Sequence, residues 1–382
     1  MTRWLYVGTF ERAYHRDLVE AAVGVYAFGL HGGTLVPGPV TPAVRSGWLT
    51  PHPDGKTLYV AHEVTELDGA PGGGIGAYAV DRETGALRPL GRRRTGGNPC
   101  HAALSPGGSH LVVSTFHGGT VEVFEIGPDG ALGDAVQVVR HHGSSIHPRR
   151  QRTPHPHAVV FDPTGRFVLV PDLGADRVVV HQWSAGRLLH RPELSVEVEP
   201  GSGPRRLVFG ADGTRAYLVG EMSATIDVFA WDADGALTRL DRVSTVADGF
   251  TGLRSAAELL LDPTGRFAYV TNRSHGSSGP PPEPGEDSLA WFAVDADSGL
   301  LRPAGRVPSG GAIPRTMTFG PDGRLYVGHQ GSSTILTFEI DAETGAATMI
   351  GSRTTPVPVC LQFLPVAPGR PADRAHHEIA TR

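Results

Sequence analysis

Lysine is nearly missing from this chain: Lys56 is the only one, and arginine fills every other basic position. With 34 basic residues against 39 acidic ones the formal net charge is -5, which offers no basic face to nucleic acid or to an anionic membrane. Cysteine is as scarce. Cys100 and Cys360 cannot make a disulfide framework, and no Cys-x-x-Cys pair exists. No apolar run reaches the length of about 18 residues that a helical membrane span needs. No segment of about ten residues or more keeps a 3.6-residue apolar period, so helices are not expected. The first residues, Met1 to Val7, read as a strand and lack the apolar run and small-residue cleavage site of a signal peptide. A cytoplasmic protein is the expectation.

Glycine and proline are plentiful, 51 and 32 of the 382 residues, which points to many turns. The chain is too long for one ordinary domain unless it is a repeat or a closed ring. Three patterns recur in fixed order. The first is a turn of Pro-Asp-Gly type: Pro53-Asp54-Gly55, Pro106-Gly107-Gly108, Pro163-Thr164-Gly165, Ala211-Asp212-Gly213, Pro263-Thr264-Gly265 and Pro321-Asp322-Gly323. The second is a short apolar strand after the turn, as in Leu58-Tyr59-Val60 and Leu325-Tyr326-Val327, with Leu5-Tyr6-Val7 as a seventh copy. The third is an alternating strand such as Val121-Glu122-Val123-Phe124, running into a second turn such as Asp81 to Leu87.

Seven copies at a spacing of roughly 50 residues, each with about four short strands, predict an all-β, seven-bladed β-propeller over 1–365. The strand missing from the first copy is found at the other end, in Val357 to Phe363, so both termini are expected to share one blade and close the ring without an exposed edge. Residues 366–382 are polar and rich in Pro and Ala and are expected to be a flexible C-terminal tail.

Repeats allow equivalent positions to be compared within one chain. The residue six before each turn proline is Gly47, Cys100, His157, Arg205, Ala257 and Arg315 in turn. A position repeated for packing would be small or apolar throughout. Here cationic and titratable residues intrude, at the level where first strands line a central channel. The ends of the second strands form another expected ring: His62 and Glu63, Asp172, Glu221, Asn272 and Arg273, His329 and Gln330. Together the rings predict a pocket for a small polar anion at the channel mouth. Any one such residue is most often a solvated rim residue, and Asp172 could simply cap a turn. The argument rests on their coincidence. The stretch His141 to His157 is densest in His and Arg. It reads as a loop over the top face rather than a metal site, because His155 and His157 have no carboxylate or thiolate at a recognised ligand spacing.

At these residues the chain resembles the lactonase family of seven-bladed propellers, which takes in 6-phosphogluconolactonases of the cycloisomerase-2 type and the carboxymuconate lactonizing enzyme. The carrying motifs are His141 to Ser144, Arg150-Gln151, Pro154 to His157, Asp172 to Asp176, Gly201 to Arg205, Ala257-Glu258, Asn272 to His275 and Pro314-Arg315. The resemblance implies catalytic roles for His157, Arg205, Glu221 and Arg273. His101, His155, Asp172, Arg206, Glu258, His275, Arg315 and Gln330 are expected to contact the substrate. Departures fall on the same face: Arg206 stands where the family has His, Ser274 where it has Gly, Thr115-Phe116 where it has Asn-Tyr, and an insertion fills 279–287.

The expected activity is hydrolysis of a small anionic lactone without metal or cofactor. In this scheme arginines hold the phosphate or carboxylate, and His157 acts as general base on water. A lactonizing cycloisomerase would use the same groups, and a non-catalytic binding propeller is the reading from another class. No nucleic-acid or membrane partner is expected, and the protein is expected to be a monomer or a weak homo-oligomer.

Overall fold

The computed structural model describes residues 2–11, 23–274 and 287–365. The tail 366–382, His275 and most of the 279–287 insertion lie outside the described residues. Among the described residues the strands form seven antiparallel blade sheets, six of four strands and one of five in which Val196–Glu197 also pairs with Arg177–Ser184. An eighth short hairpin, Glu66–Leu67 with Ala70–Pro71, lies between the second and third strands of one blade. The only described helix is the single 3-10 turn Pro192–Leu194. From the channel outward, the first blade runs Ser46–Pro51, Thr57–His62, Gly73–Val80, Leu87–Thr95, and five more follow the same order. The seventh is the shared one. Its inner strand Pro358–Phe363 pairs with Arg3–Thr9, in the register Leu5↔Phe363 and Val7↔Leu361. The expected closure of the ring is therefore present, with strands from both ends of the chain in one sheet.

The turns follow from their residues. In Asp162-Pro163-Thr164-Gly165 the Asp162 carboxylate accepts from the amides of Thr164 and Phe167 and from the Thr164 hydroxyl, while Gly165 takes φ 70°. Asp262 repeats the arrangement a hundred residues on. The core is divided: seven apolar clusters each sit at one blade-to-blade interface, such as Tyr59, Ala61 and Ile75 against Ala102, Leu111 and Phe124. Tyrosines in the middle of second strands tie neighbours together. Tyr6, Tyr59, Tyr217 and Tyr269 each donate through their hydroxyl to a turn glycine carbonyl of the next blade, at Gly85, Gly130, Gly299 and Gly345.

One irregularity positions everything that follows. In six of the seven sheets the pairing of the inner strand slips by one residue near the top of the channel. The residues passed over include Gly47, Cys100, Arg205, Ala257, Arg315 and Val359. In the remaining blade the inner strand is held by the bridge Pro156↔Asp172, by the hydrogen bond from the His157 amide to the Pro171 carbonyl at 2.9 Å and by the short strand Val160–Phe161, with His157 passed over between the paired positions. A bulge re-aims a side chain, and here it turns the ring position into the channel.

His181 occupies the third-strand position held elsewhere by Phe124, Phe229, Phe292 and Phe338, and it is 1% exposed. Burial, with His141 and His190 nearby, depresses its pKa to about 3 from 6.5. A histidine kept neutral in the fold stabilises above 6.5 and loses that contribution as pH falls toward 3, because the unfolded chain then binds the extra proton. The loss should approach about 1.4 kcal/mol per pH unit at its steepest. His181→Phe should leave stability at pH 7 within about 1 kcal/mol and flatten the acid side, as read from urea unfolding at pH 7 and pH 4.5.

Candidate active site

The top of the channel opens into a cavity of about 310 Å³. Its wall carries five arginines (Arg149, Arg150, Arg205, Arg273 and Arg315), two carboxylates (Glu63 and Glu221), and His117, His155 and His157. Glu221 is the organising group. It accepts from Arg150 at 2.6 Å and from Arg205 Nε at 3.0 Å, and Arg273 Nη2 lies 3.1 Å away. Burial alone would raise its pKa, but Arg150, Arg273 and Arg205 outweigh that and hold it well below the usual carboxylate range. The guanidiniums are anchored a second time. Arg205 donates to the Ala257 carbonyl at 2.6 Å, and Arg273 to the Ser255 hydroxyl at 3.0 Å.

Across the cavity Arg315 pairs with Glu63 at 3.3 Å and lies over the Phe10 ring. Gly47 makes room for this pair, since a Cβ there would come within 2.3 Å of Glu63 Oε2. The glycine at this ring position is a packing requirement for the carboxylate above it.

His157 is partly open to the cavity. Burial, then the Arg205 and Arg315 charges, hold its pKa well below the ordinary value, with Glu221 opposing only in part. It is a neutral imidazole among arginines. His155 stacks flat on Phe116 at 4.2 Å, and its Nδ1 lies 2.8 Å from the Phe116 carbonyl, where it must donate, so Nε2 is the free lone pair. Cys100 also lines the cavity, but burial pushes its thiol up to about 12, which excludes a thiolate nucleophile at neutral pH. Below this level Arg206 donates to Glu258 at 2.8 Å, contacts His101 Nε2, and lies over Trp48. These four side chains line a narrow neck of about 20 Å³, a layer beneath the main cavity.

The structure thus brings His155, His157, Arg205, Glu221, Arg273 and Arg315 to one cavity and puts His101, Arg206 and Glu258 under it. Two expected substrate contacts are corrected. Asp172 is fully buried and spends one carboxylate oxygen on the amides of His155, Gly174 and Ala175, and the other on His141. Gln330 is also fully covered and does not line the cavity. His62, Asn272 and His329 face into the wall as well. The cause for all but Gln330 is a one-residue register. In every blade it is the residue after the second strand whose amide donates to the inner strand's lead-in, namely Phe10, Glu63, Phe116, Leu173, Glu221, Arg273 and Gln330. One step along a strand reverses the face. Arg149, Arg150 and His117 were not assigned from sequence, because they sit on connections that have no repeat to be aligned with.

The family model for the seven-bladed β-propeller lactonases matches residues 4–363. The chain belongs to that family. A Bacillus subtilis relative named 6-phosphogluconolactonase is 30% identical, over 95% of this chain and 99% of its own. One from Formosa agariphila with the same name is 28% identical, over 85% and 91%. The periplasmic gluconolactonase structure from Pseudomonas aeruginosa superposes with a TM-score of 0.86 at 33% identity, covering 96% of this chain and all of that one. Among the described residues of this lactonase-family chain no helix is long and apolar enough to cross a membrane.

Glu221→Gln should cost about 3 kcal/mol or more, since it leaves three guanidiniums without their shared counter-charge. Glu221, with its depressed pKa, contributes stability above the unfolded value of 4.5 that disappears as pH falls, so the gap between wild type and variant should narrow at acid pH. Thermal unfolding at pH 7 and pH 4 measures both.

Proposed function

We propose that this chain is a lactonase that hydrolyses a small anionic lactone of the 6-phosphogluconolactone type. The observation that carries the reading is His157, a neutral imidazole opening on a cavity whose other charges are mostly guanidinium. The names of the relatives and the membership of the family support it. His157 takes a proton from water as the oxygen attacks the lactone carbonyl, and a new C–O bond forms. The arginines facing the cavity stabilise the oxyanion. When the ring C–O bond breaks, the imidazolium returns its proton to the leaving alkoxide, giving the hydroxy acid. A low histidine pKa suits the second half of this sequence, because the protonated ring is then a strong acid. The arginine field also favours an anionic substrate. A cytoplasmic location is proposed with it, supported by two free, buried thiols that suit a reducing compartment.

His157→Ala should lower kcat/KM for the phosphorylated lactone by about 10²- to 10⁴-fold. A variant that folds and retains the parent rate would sink the assignment. In the wild type kcat/KM should be level from pH 6.5 upward and fall only at lower pH, where His157 takes up its proton. Arg205→Gln removes a charge that depresses that pKa, so the acid limb should move upward. A limb left in place would show that another group titrates.

A further inference from the structure

Of the five arginines on the cavity wall, four have partners within it. Arg150, Arg205 and Arg273 converge on Glu221, and Arg315 meets Glu63. Arg149 differs: its exposed guanidinium lines the mouth, and among the described residues it makes no ion pair or hydrogen bond. Its backbone, by contrast, is firmly held. The amides of Arg149 and Arg150 both donate to His147 Nδ1, at 3.3 and 3.1 Å. The His147 amide donates to Gln151 Oε1 at 3.0 Å, and the Gln151 amide to the His147 carbonyl at 3.1 Å. Gln151 is fully buried, and its Nε2 donates to the Leu173 carbonyl at 2.9 Å and to Asp176 Oδ2 at 2.7 Å. Asp176 in turn accepts from the amides of Gly201 at 2.6 Å and Gly203 at 2.8 Å, two residues before Arg205.

We propose that Arg149 is the specificity-determining residue that receives the anionic group of the substrate, and that Gln151 with Asp176 is the strut that positions it. The proposal rests on the lactonase reading and adds a division of labour to it. The cavity wall holds five guanidiniums against two carboxylates, an excess of three positive charges around neutral imidazoles. Only one of the five is at the mouth with its donors uncommitted, so it can bind an incoming anion without first breaking an internal pair. The arginines around Glu221 are already positioned for the reacting carbonyl, deeper down. A rotamer-rich arginine on a loose loop would lose much of its gain to ordering. The buried strut fixes the turn that carries it.

The test compares a phosphorylated sugar δ-lactone with its uncharged parent. For Arg149→Gln the ratio of kcat/KM for phosphorylated over uncharged lactone should fall at least tenfold, mainly through KM, and Arg149→Lys should restore part of it. Gln151→Ala should lower the same ratio, because the turn loses its anchor. A ratio unchanged in Arg149→Gln, with both substrates slowed alike or neither slowed, would overturn the proposal. If the wild type turns over neither lactone, the lactonase reading falls instead. Titration with inorganic phosphate then decides the subsite: binding by the wild type and at least tenfold weaker binding by Arg149→Gln supports it, and equal or absent binding in both ends it.

Discussion

Arg149, Arg150, Arg205, Arg273 and Arg315 surround one opening, and the site has to survive their mutual repulsion. Two like charges about 4 Å apart repel by roughly 4 kcal/mol at the effective dielectric of a partly buried site. Glu221 answers most of that cost by meeting three of the five at 2.6 to 3.1 Å. The dependence runs in both directions. The guanidiniums keep Glu221 ionised despite its burial, and the ionised carboxylate fixes where they point. Burial first, and then nearby guanidiniums, hold two imidazoles neutral: Arg205 and Arg315 act on His157, and Arg206 and, more weakly, Arg205 on His101. One carboxylate therefore governs the placement of three cations, and one of them, Arg205, adds to burial in keeping His157 neutral.

Such a field can be assembled only if residues far apart in the chain arrive at one level. The propeller does this by repetition. Each inner strand reaches the channel mouth at the same height, and the bulge there turns one side chain inward in sheet after sheet. The pairing of Arg3–Thr9 with Pro358–Phe363 keeps the ring from opening between the first blade and the last, which matters because the Arg315–Glu63 pair spans that seam. Closure and electrostatics are thus coupled at one place: Glu63 comes from the blade after the seam and Arg315 from the blade before it.

The fold was legible because its signals are local and repeated seven times. Turn prolines and glycines, the tyrosines of the second strands and the strand at Val359 to Phe363 each recur or complete a recurrence. The inner ring was legible for the same reason, since counting back from the turn lands on Arg205 and His157 without any knowledge of the bulge. The outer ring was harder. Strand ends do not announce their last paired residue, so Asp172 and Leu173 look equally eligible until the hydrogen bond from the Leu173 amide to the His155 carbonyl fixes the register. Gln330 shows a further limit. It keeps the ring position and yet is covered, which depends on packing that no pattern within one repeat records.

What repetition cannot supply is asymmetry, and a small substrate has none of the symmetry of a seven-bladed ring. Unlike residues at equivalent positions break the symmetry within the blades. The connection from Arg140 to Val160 breaks it from outside, bringing Arg149 and Arg150 over a cavity otherwise lined by strand ends. A long irregular segment packed on the top face carries backbone amides that need acceptors. The buried acids beneath it hold the segment at three points, Asp172 taking the His155 amide and the His141 ring and Asp176 taking the Gln151 side chain. The same carboxylates accept the amides of the neighbouring turns at Gly174, Ala175, Gly201 and Gly203. This is why two acidic residues beside the site are consumed by structure. They make a loop behave as a fixed wall, and a fixed wall is what allows two adjacent arginines on one turn to do different things, one locked inward on Glu221 and one held at the entrance.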